Sequence, residues 1–298
     1  MFEFIKHFVS LQDGAIKLNP FIKFVPPGHF YSPIPDINNI KLNSKRIFDT
    51  CPKKIEGINL NEQRQLELIK QFIIYYKDMP FKAKKTGNLR YYFENDTYTY
   101  TDAIFLYSMI RILKPKRIIE VGSGFSTCVT LDTNELFFNN SISLTCIEPY
   151  PQLLRSLIKE TDNLKILEKE LQEVDLGVFS ELTANDILFI DSTHVSKIDS
   201  DVNRIIFKIL PALSNGVYIH FHDIFYPFEY LRDWVYEGRA WNEAYLLRAF
   251  LQYNDNFGIQ IFSDYLAKFH IEIFDEMPMC KNNFGGDIWI KKQLTTCK

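Results

Sequence analysis

Residues Ile118-Ile119-Glu120-Val121 run straight into Gly122-Ser123-Gly124 and then into Phe125-Ser126-Thr127, so an apolar strand ends in a glycine turn that opens a helix. Few short segments constrain a fold so strongly. The turn lets backbone approach a ligand closely, leaves N–H groups free at the helix start, and belongs to sheets whose strands alternate with helices. From Thr101 onward the chain keeps that alternation. Helical spacing over 103–113 leads into a strand at 117–121, and a helix follows from about Ser126. Further strands are expected at 143–148, 164–167, 186–191 and about 216–222. Helices are expected at 151–159, 199–213 and 242–253, and a late strand pair at 258–262 and 287–291. This pattern predicts an α/β, Rossmann-like, doubly wound and mostly parallel sheet of about seven strands over residues 101–298.

Residues 1–100 read differently. Pro20, Pro26, Pro27, Pro33, Pro35 and Pro52 interrupt the first half, which argues against long helices there, while 62–76 (EQRQLELIKQFIIYY) has the apolar spacing of an amphipathic helix. The chain is therefore expected to carry an N-terminal extension, 1–100, ahead of a cofactor-binding domain, 101–298. A net charge of −3 with no long basic tract argues against nucleic acid as the main partner. The five cysteines form no C-x-x-C pair, so neither a zinc ribbon nor a disulfide framework is indicated. No stretch reaches the roughly 20 apolar residues of a membrane span, and the start is too charged for an export signal, so a cytoplasmic location is the expectation.

The turn has the pattern acid-x-Gly-x-Gly. Thr127 stands where a dinucleotide fingerprint would carry its third glycine, and Glu120 would sit poorly beside a pyrophosphate. A carboxylate there suits a cofactor whose methionine end carries an ammonium and a sulfonium. Ser126 and Thr127 could hydrogen-bond that cofactor's carboxylate. Glu148 ends the second strand, where a carboxylate can accept hydrogen bonds from both ribose hydroxyls.

Two more strand ends carry reactive side chains, Asp191 with His194 and His222 with Asp223. Adjacent parallel strands open on one edge, so these four should converge near the glycine turn. Burying so many ionisable groups without a task would be costly. Methyl transfer supplies one: acceptor and sulfonium must be aligned, and a proton usually removed from the acceptor. A histidine suits that base role, and a divalent ion held by carboxylates could lower the pKa of an acceptor hydroxyl. His220, deeper in its strand, reads as a hydrogen-bonded core histidine.

Over roughly Tyr98 to Lys292 the chain resembles the class I S-adenosylmethionine-dependent methyltransferases. The resemblance implies S-adenosylmethionine as cofactor, bound by Glu120, Gly122, Gly124 and Glu148, with adenine met after the third strand near Gln172. The tips at 191–194 and 222–223 resemble metal-dependent O-methyltransferases of small molecules, including those acting on macrolide sugars and the catechol type. That likeness implies metal-ligand positions at Asp191 and Asp223, with His194 matching a catalytic base three residues after the first. His222 stands where the sugar enzymes carry a second carboxylate. As a third ligand, its nitrogen would shift preference from magnesium toward manganese, iron or zinc. The strings FYSPIPD, from Phe30, and HDIFYPFEY, from His222, are similar to an uncharacterised bacterial group of such enzymes.

The expected activity is methylation of an oxygen on a small molecule such as a sugar or glycoconjugate, with His194, Asp191 and Asp223 catalytic. Tyr31, Trp241 and Asn242 are candidate acceptor contacts, against the plainer reading of core packing and, for Asn242, a helix N-cap. Two alternatives stay open: a nicotinamide-dependent oxidoreductase, and a Rossmann-like scaffold that binds cofactor without catalysis.

Overall fold

The computed structural model describes residues 24–293, together with a two-residue antiparallel ladder between Leu11–Gln12 and Ala15–Ile16. The chain divides into two compact units, Met1–Cys51 with Leu231–Ala240, and Pro52–Tyr230 with Trp241–Lys298. Among its described residues the first holds three short helices, Ile37–Leu42, Ser44–Phe48 and Arg232–Tyr236. Asp36 starts the first of them, its carboxylate accepting the N–H groups of Asn38 and Asn39. Phe48 meets Tyr236 edge-on.

The second unit is built on one seven-stranded sheet. Its strands are β1 (Arg117–Val121), β2 (Ser143–Ile147), β3 (Leu164–Leu167), β4 (Ile187–Ile190), β5 (Tyr218–His222), β6 (Phe257–Phe262) and β7 (Asp287–Lys292). Their spatial order is β3-β2-β1-β4-β5-β7-β6, parallel except for β7, which runs against both neighbours. The sheet order reverses beside β1, and ligands of open α/β sheets bind at such a point. Register makes the consequence specific. Val121 pairs with Ile147 and Ile190, and Ile190 pairs with Phe221. Gly122, Glu148 and Asp191 follow those residues just past their strand ends, and His222, the last residue of β5, stands at the same rank.

The inner strands are apolar on both faces because helices cover both, as a parallel sheet requires. Phe189, Phe221 and Trp289 are fully buried at its centre. Helix α1 (Glu62–Tyr76) buries Gln65, Leu68, Ile69 and Phe72, the expected stripe. Gln65 is satisfied there, its amide donating to the Leu60 carbonyl and its oxygen accepting the Phe262 N–H. That contact builds residues from Pro52 onward into the sheet unit, ahead of the change in composition near residue 100. Helix α2 (Tyr100–Leu113) is buried almost all round. Helix α3 (Phe125–Phe138) follows the glycine turn, and α4 (Glu243–Leu251) follows β5 at a distance.

Residues 199–213 do not form one regular helix. An α-turn at Asp201–Arg204 widens to a π-turn at Ile205–Ile209 before Leu210–Ala212. Pro211 has no N–H to give to the regular ladder at that point.

Candidate active site

The glycine turn is shaped by close packing. Gly122 has φ +81°, and a Cβ there would run into the carbonyl oxygen of Asp191. Only glycine meets both demands without strain. Its N–H donates to the Ile147 carbonyl, while the Asp191 N–H donates to Val121, so the tips of β1, β2 and β4 are tied together.

A cavity of about 490 Å³ opens beside this turn, within the usual size of a small-molecule site. Gly122, Glu148, Gln172 and Asp191 all line it. One Glu148 oxygen accepts the Tyr150 N–H at 2.9 Å and the other accepts the Ser123 hydroxyl at 3.3 Å, which fixes the carboxylate at the β2 tip. Gln172 donates to the Asp199 carbonyl at 2.7 Å, closing the far wall.

Glu120, Ser126 and Thr127 behave otherwise than expected. Glu120 is buried and accepts the Ser126 and Thr127 hydroxyls at 2.5 and 2.8 Å, with the Cys146 thiol at 3.6 Å. None of the three lines the cavity. Thr127 Oγ1 also accepts the Gly124 N–H. Burial pushes the Glu120 carboxyl up to about 7, against the hydroxyl and thiol hydrogen bonds that favour its charge. The acid therefore braces the start of α3 from behind, and Gly124 belongs to the same brace.

The charged tips do converge. His194 Nε2 lies 3.5 Å from Asp191 Oδ1 and 3.7 Å from Asp223 Oδ2, and His222 Nε2 lies 3.5 Å from Asp223 Oδ1. His194 and Asp223 both take left-handed backbone, φ +60° and +57°, which is uncommon outside glycine and clusters at functional sites. Burial alone would pull the His194 imidazole down. Hydrogen bonds to Asp191 and Glu243 and the charge of Asp223 outweigh it and raise the group to about 10. For His222, burial is likewise outweighed by Asp223, Asp191 and Asp102, which raise it to about 9.

Two buried acids in this cluster were given no catalytic role by the sequence. Glu243, at the start of α4, is 1% exposed and reaches His194 Nδ1 at 2.9 Å. Asp102, on α2, accepts the Gly286 N–H at 3.0 Å beside the positive-φ Gly285 and adds its charge to His222. The Gly285-Gly286 pair was the available signal for Asp102, since glycines so placed often admit a close neighbour.

Trp241 packs against His194, with ring centroids 4.4 Å apart and the planes tilted by 36°. Asn242 occupies the N-cap position of α4 but makes no side-chain cap. Its side chain instead accepts the Ser196 N–H at 2.6 Å and donates to the Ser196 carbonyl at 3.2 Å. Tyr31 belongs to the other compact unit, exposed and packed against Phe30. His220 is fully buried, stacked on Phe189 at 4.1 Å, with Asp287 at 3.5 Å. It lies in the core as expected, but its nitrogens make no hydrogen bond within the described protein. Burial pulls its pKa down, against the raising effect of Asp287.

Asp191, His222 and Asp223 do not fit a metal ion as arranged. Coordination needs donors converging on one point at about 2.0–2.6 Å. Here the His194 imidazole lies between the two carboxylates, and His222 faces Asp223 rather than a shared centre. Among the described residues, no group of three or more His, Cys, Asp or Glu side chains is placed to hold a metal. Nor is any helix among them long and apolar enough to cross a membrane.

Comparisons with known proteins bear on this geometry. Residues 119–224, which run from β1 to the tip of β5, match the family model of a methyltransferase domain. An uncharacterised protein of Archaeoglobus fulgidus is 36% identical over 169 residues, covering 55% of this chain and 76% of that one. Among solved structures, the S-adenosylhomocysteine-bound methyltransferase PaMTH1 of Podospora anserina is 14% identical, with 91% of this chain and 99% of that chain covered and a TM-score of 0.43. The O-methyltransferase TomG of Streptomyces achromogenes is 9% identical over 86% and 96% of the two chains, with a TM-score of 0.41. The order 3-2-1-4-5-7-6, the glycine turn and the matched segment agree: this chain belongs to the class I S-adenosylmethionine-dependent methyltransferases.

Proposed function

We propose that the enzyme methylates an oxygen of a small hydroxylated acceptor, a sugar or glycoconjugate, with His194 as the base. The supporting observation is that His194 Nε2 stands 3.5 Å from Asp191, a residue that lines the cavity at the turn. S-adenosylmethionine, when bound, supplies an electrophilic methyl carbon on a sulfonium. The cavity volume and the glycine that no side chain could replace both suit that group.

The remaining roles follow from position. Gly122 gives backbone approach, Glu148 accepts the ribose hydroxyls, and Gln172 flanks the adenine. Asp191 faces both the cavity and His194, and it holds its charge well because burial is outweighed by hydrogen bonding to His194 and the charge of His222. In this reading Glu120, Ser126 and Thr127 shape the turn from behind rather than touch the cofactor. Asp223 and Asp191 would orient the acceptor hydroxyl, and His194 Nε2 would take its proton as the oxygen accepts the methyl group that the cofactor supplies. General-base help of this kind contributes about 10²–10⁴-fold. Residues 101–298 carry both cofactor and chemistry.

Free His194 holds its proton at neutral pH, so the base is competent only in its minor neutral form. Cationic charge arriving with the cofactor next to Asp191 disfavours the imidazolium and enlarges that form.

The test has two parts. Isothermal titration with S-adenosylhomocysteine reads the cofactor site. Labelled methyl transfer to a panel of sugars, glycoconjugates, catechols and primary amines reads the acceptor. Transfer confined to amines would overturn the oxygen assignment.

A further inference from the structure

We infer that Glu243 is a positioning residue that fixes the His194 ring so that Nε2 faces the strand tips. This inference rests on the reading of His194 as base. An acid in the first turn of a helix ordinarily complements the helix dipole from the surface. Glu243 does not. It is 1% exposed, and a buried carboxylate is costly unless its oxygens are paired. Both are. Oε2 lies 2.9 Å from His194 Nδ1, and Oε1 accepts the Ser192 hydroxyl at 2.9 Å. The same serine hydroxyl accepts the His194 N–H at 3.1 Å, so acid, serine and histidine close a small ring of hydrogen bonds.

The backbone completes the frame. The His194 carbonyl accepts the N–H groups of both Asn242 and Glu243 at 3.1 Å, which clips the loop after β4 to the start of α4. Asn242 repeats the clip through both ends of its amide on Ser196. Trp241 covers one face of the imidazole. An imidazole held at Nδ1 by a carboxylate presents Nε2 in one direction, and it is stabilised when it takes up a proton. The charges facing this ring are Glu243 from α4, Asp191 from the β4 tip, and Asp223 and His222 from the β5 tip. Glu243 is the one among them that contacts Nδ1. The other three stand at the strand tips.

The experiment uses the full chain labelled with ¹⁵N-histidine, which has six histidines to resolve. The His194 Nδ1 proton, identified by its loss in His194→Ala, should appear far downfield and exchange slowly in the wild type. In Glu243→Gln, which keeps an acceptor of the same size, it should persist but move upfield. In Glu243→Ala it should exchange away. S-adenosylhomocysteine affinity should stay within about threefold in both, while kcat falls about 10–100-fold or more in each, the loss typical when the partner that orients a histidine is removed. A Nδ1 proton unchanged in the Gln and Ala variants overturns the positioning role, whatever His194 does in turnover. If His194→Ala turns over within about tenfold of the wild-type rate, the base reading itself fails, and that outcome is independent of the resonance. Should Glu243→Ala not fold, the isosteric Gln variant still decides, because loss of charge alone must move the proton.

Discussion

The two halves of the strand edge are built by different means. Around β1 and β2 the site is compact: Gly122 and Glu148 sit one residue past paired strand ends, and Ser123 and Tyr150, beside those ends, hold the Glu148 carboxylate. Around β4 and β5 it is assembled from afar. His194 is held by Glu243, 49 residues on, and His222 is faced by Asp102 from a helix that precedes the sheet. The first half is backbone with one carboxylate, Glu148, suited to gripping a polar cofactor. The second is buried charge, suited to moving a proton. Binding and chemistry should then be separable by mutation.

The largest effect should come from the charged half. His194→Ala is expected to lower turnover about 10³-fold while S-adenosylhomocysteine affinity stays within about threefold, since a base acts on the transition state rather than on cofactor binding. Single-turnover transfer and calorimetry measure the two numbers. Parallel loss of both would erase the division between the halves.

Next in size is the response to pH. His194 is protonated below about 10 in the free enzyme, and only its neutral form can accept a proton. The sign is therefore fixed: kcat/KM for the cofactor should rise about tenfold per pH unit, roughly 100-fold from pH 7 to 9, and level off near 10. The bend in kcat should fall at lower pH, because bound cationic cofactor opposes the imidazolium. A flat profile between pH 6 and 9 cannot be reconciled with His194 as the base.

On the cofactor half, Glu148→Ala removes a carboxylate that would accept two hydroxyls. A loss of about 1.5–3 kcal/mol, or roughly 10–150-fold in S-adenosylhomocysteine affinity, is expected, with kcat within about threefold. If kcat collapses instead, the ribose end is coupled to the chemistry and the two halves are one.

This difference in construction also explains what could be read in advance. The alternation of strands and helices, the glycine turn and the acids at 148, 191 and 223 lie in local patterns of apolar run followed by a turn, so the sequence displays them. Glu243 lay hidden because an acid at a helix start is ordinary, and nothing local ties it to position 194. Asn242 looked like an N-cap for the same reason, yet its amide is fully engaged with Ser196. Glu120 was visible, but the direction of its side chain was not. In a strand one residue's pleat decides between cavity and core, and Glu120 points toward Ser126 and Thr127. The triplet Asp191, His222 and Asp223 was legible as a set, whereas the imidazole lying between its carboxylates follows only from the long-range pairing with Glu243.

That imidazole leads to the smallest predicted effect. A cation between Asp191 and Asp223 lowers their mutual repulsion, and protonated His194 already supplies one from within the chain. A divalent ion would have to expel the ring from its contact with Glu243 and draw both carboxylates to about 2.0–2.6 Å of a common point. Addition of EDTA or of manganese should therefore change S-adenosylhomocysteine affinity less than about twofold in the wild type, since neither alters the backbone turn that grips the cofactor. His194→Ala removes the internal cation and leaves the two carboxylates facing each other, so manganese should bind this variant more tightly than the wild type, read directly by the loss of the free-ion electron paramagnetic resonance signal. Stoichiometric manganese binding by the wild type, with the Nδ1 proton of His194 undisturbed, would show that the charged half can hold an ion and its imidazole together, and the internal-cation account would then fail.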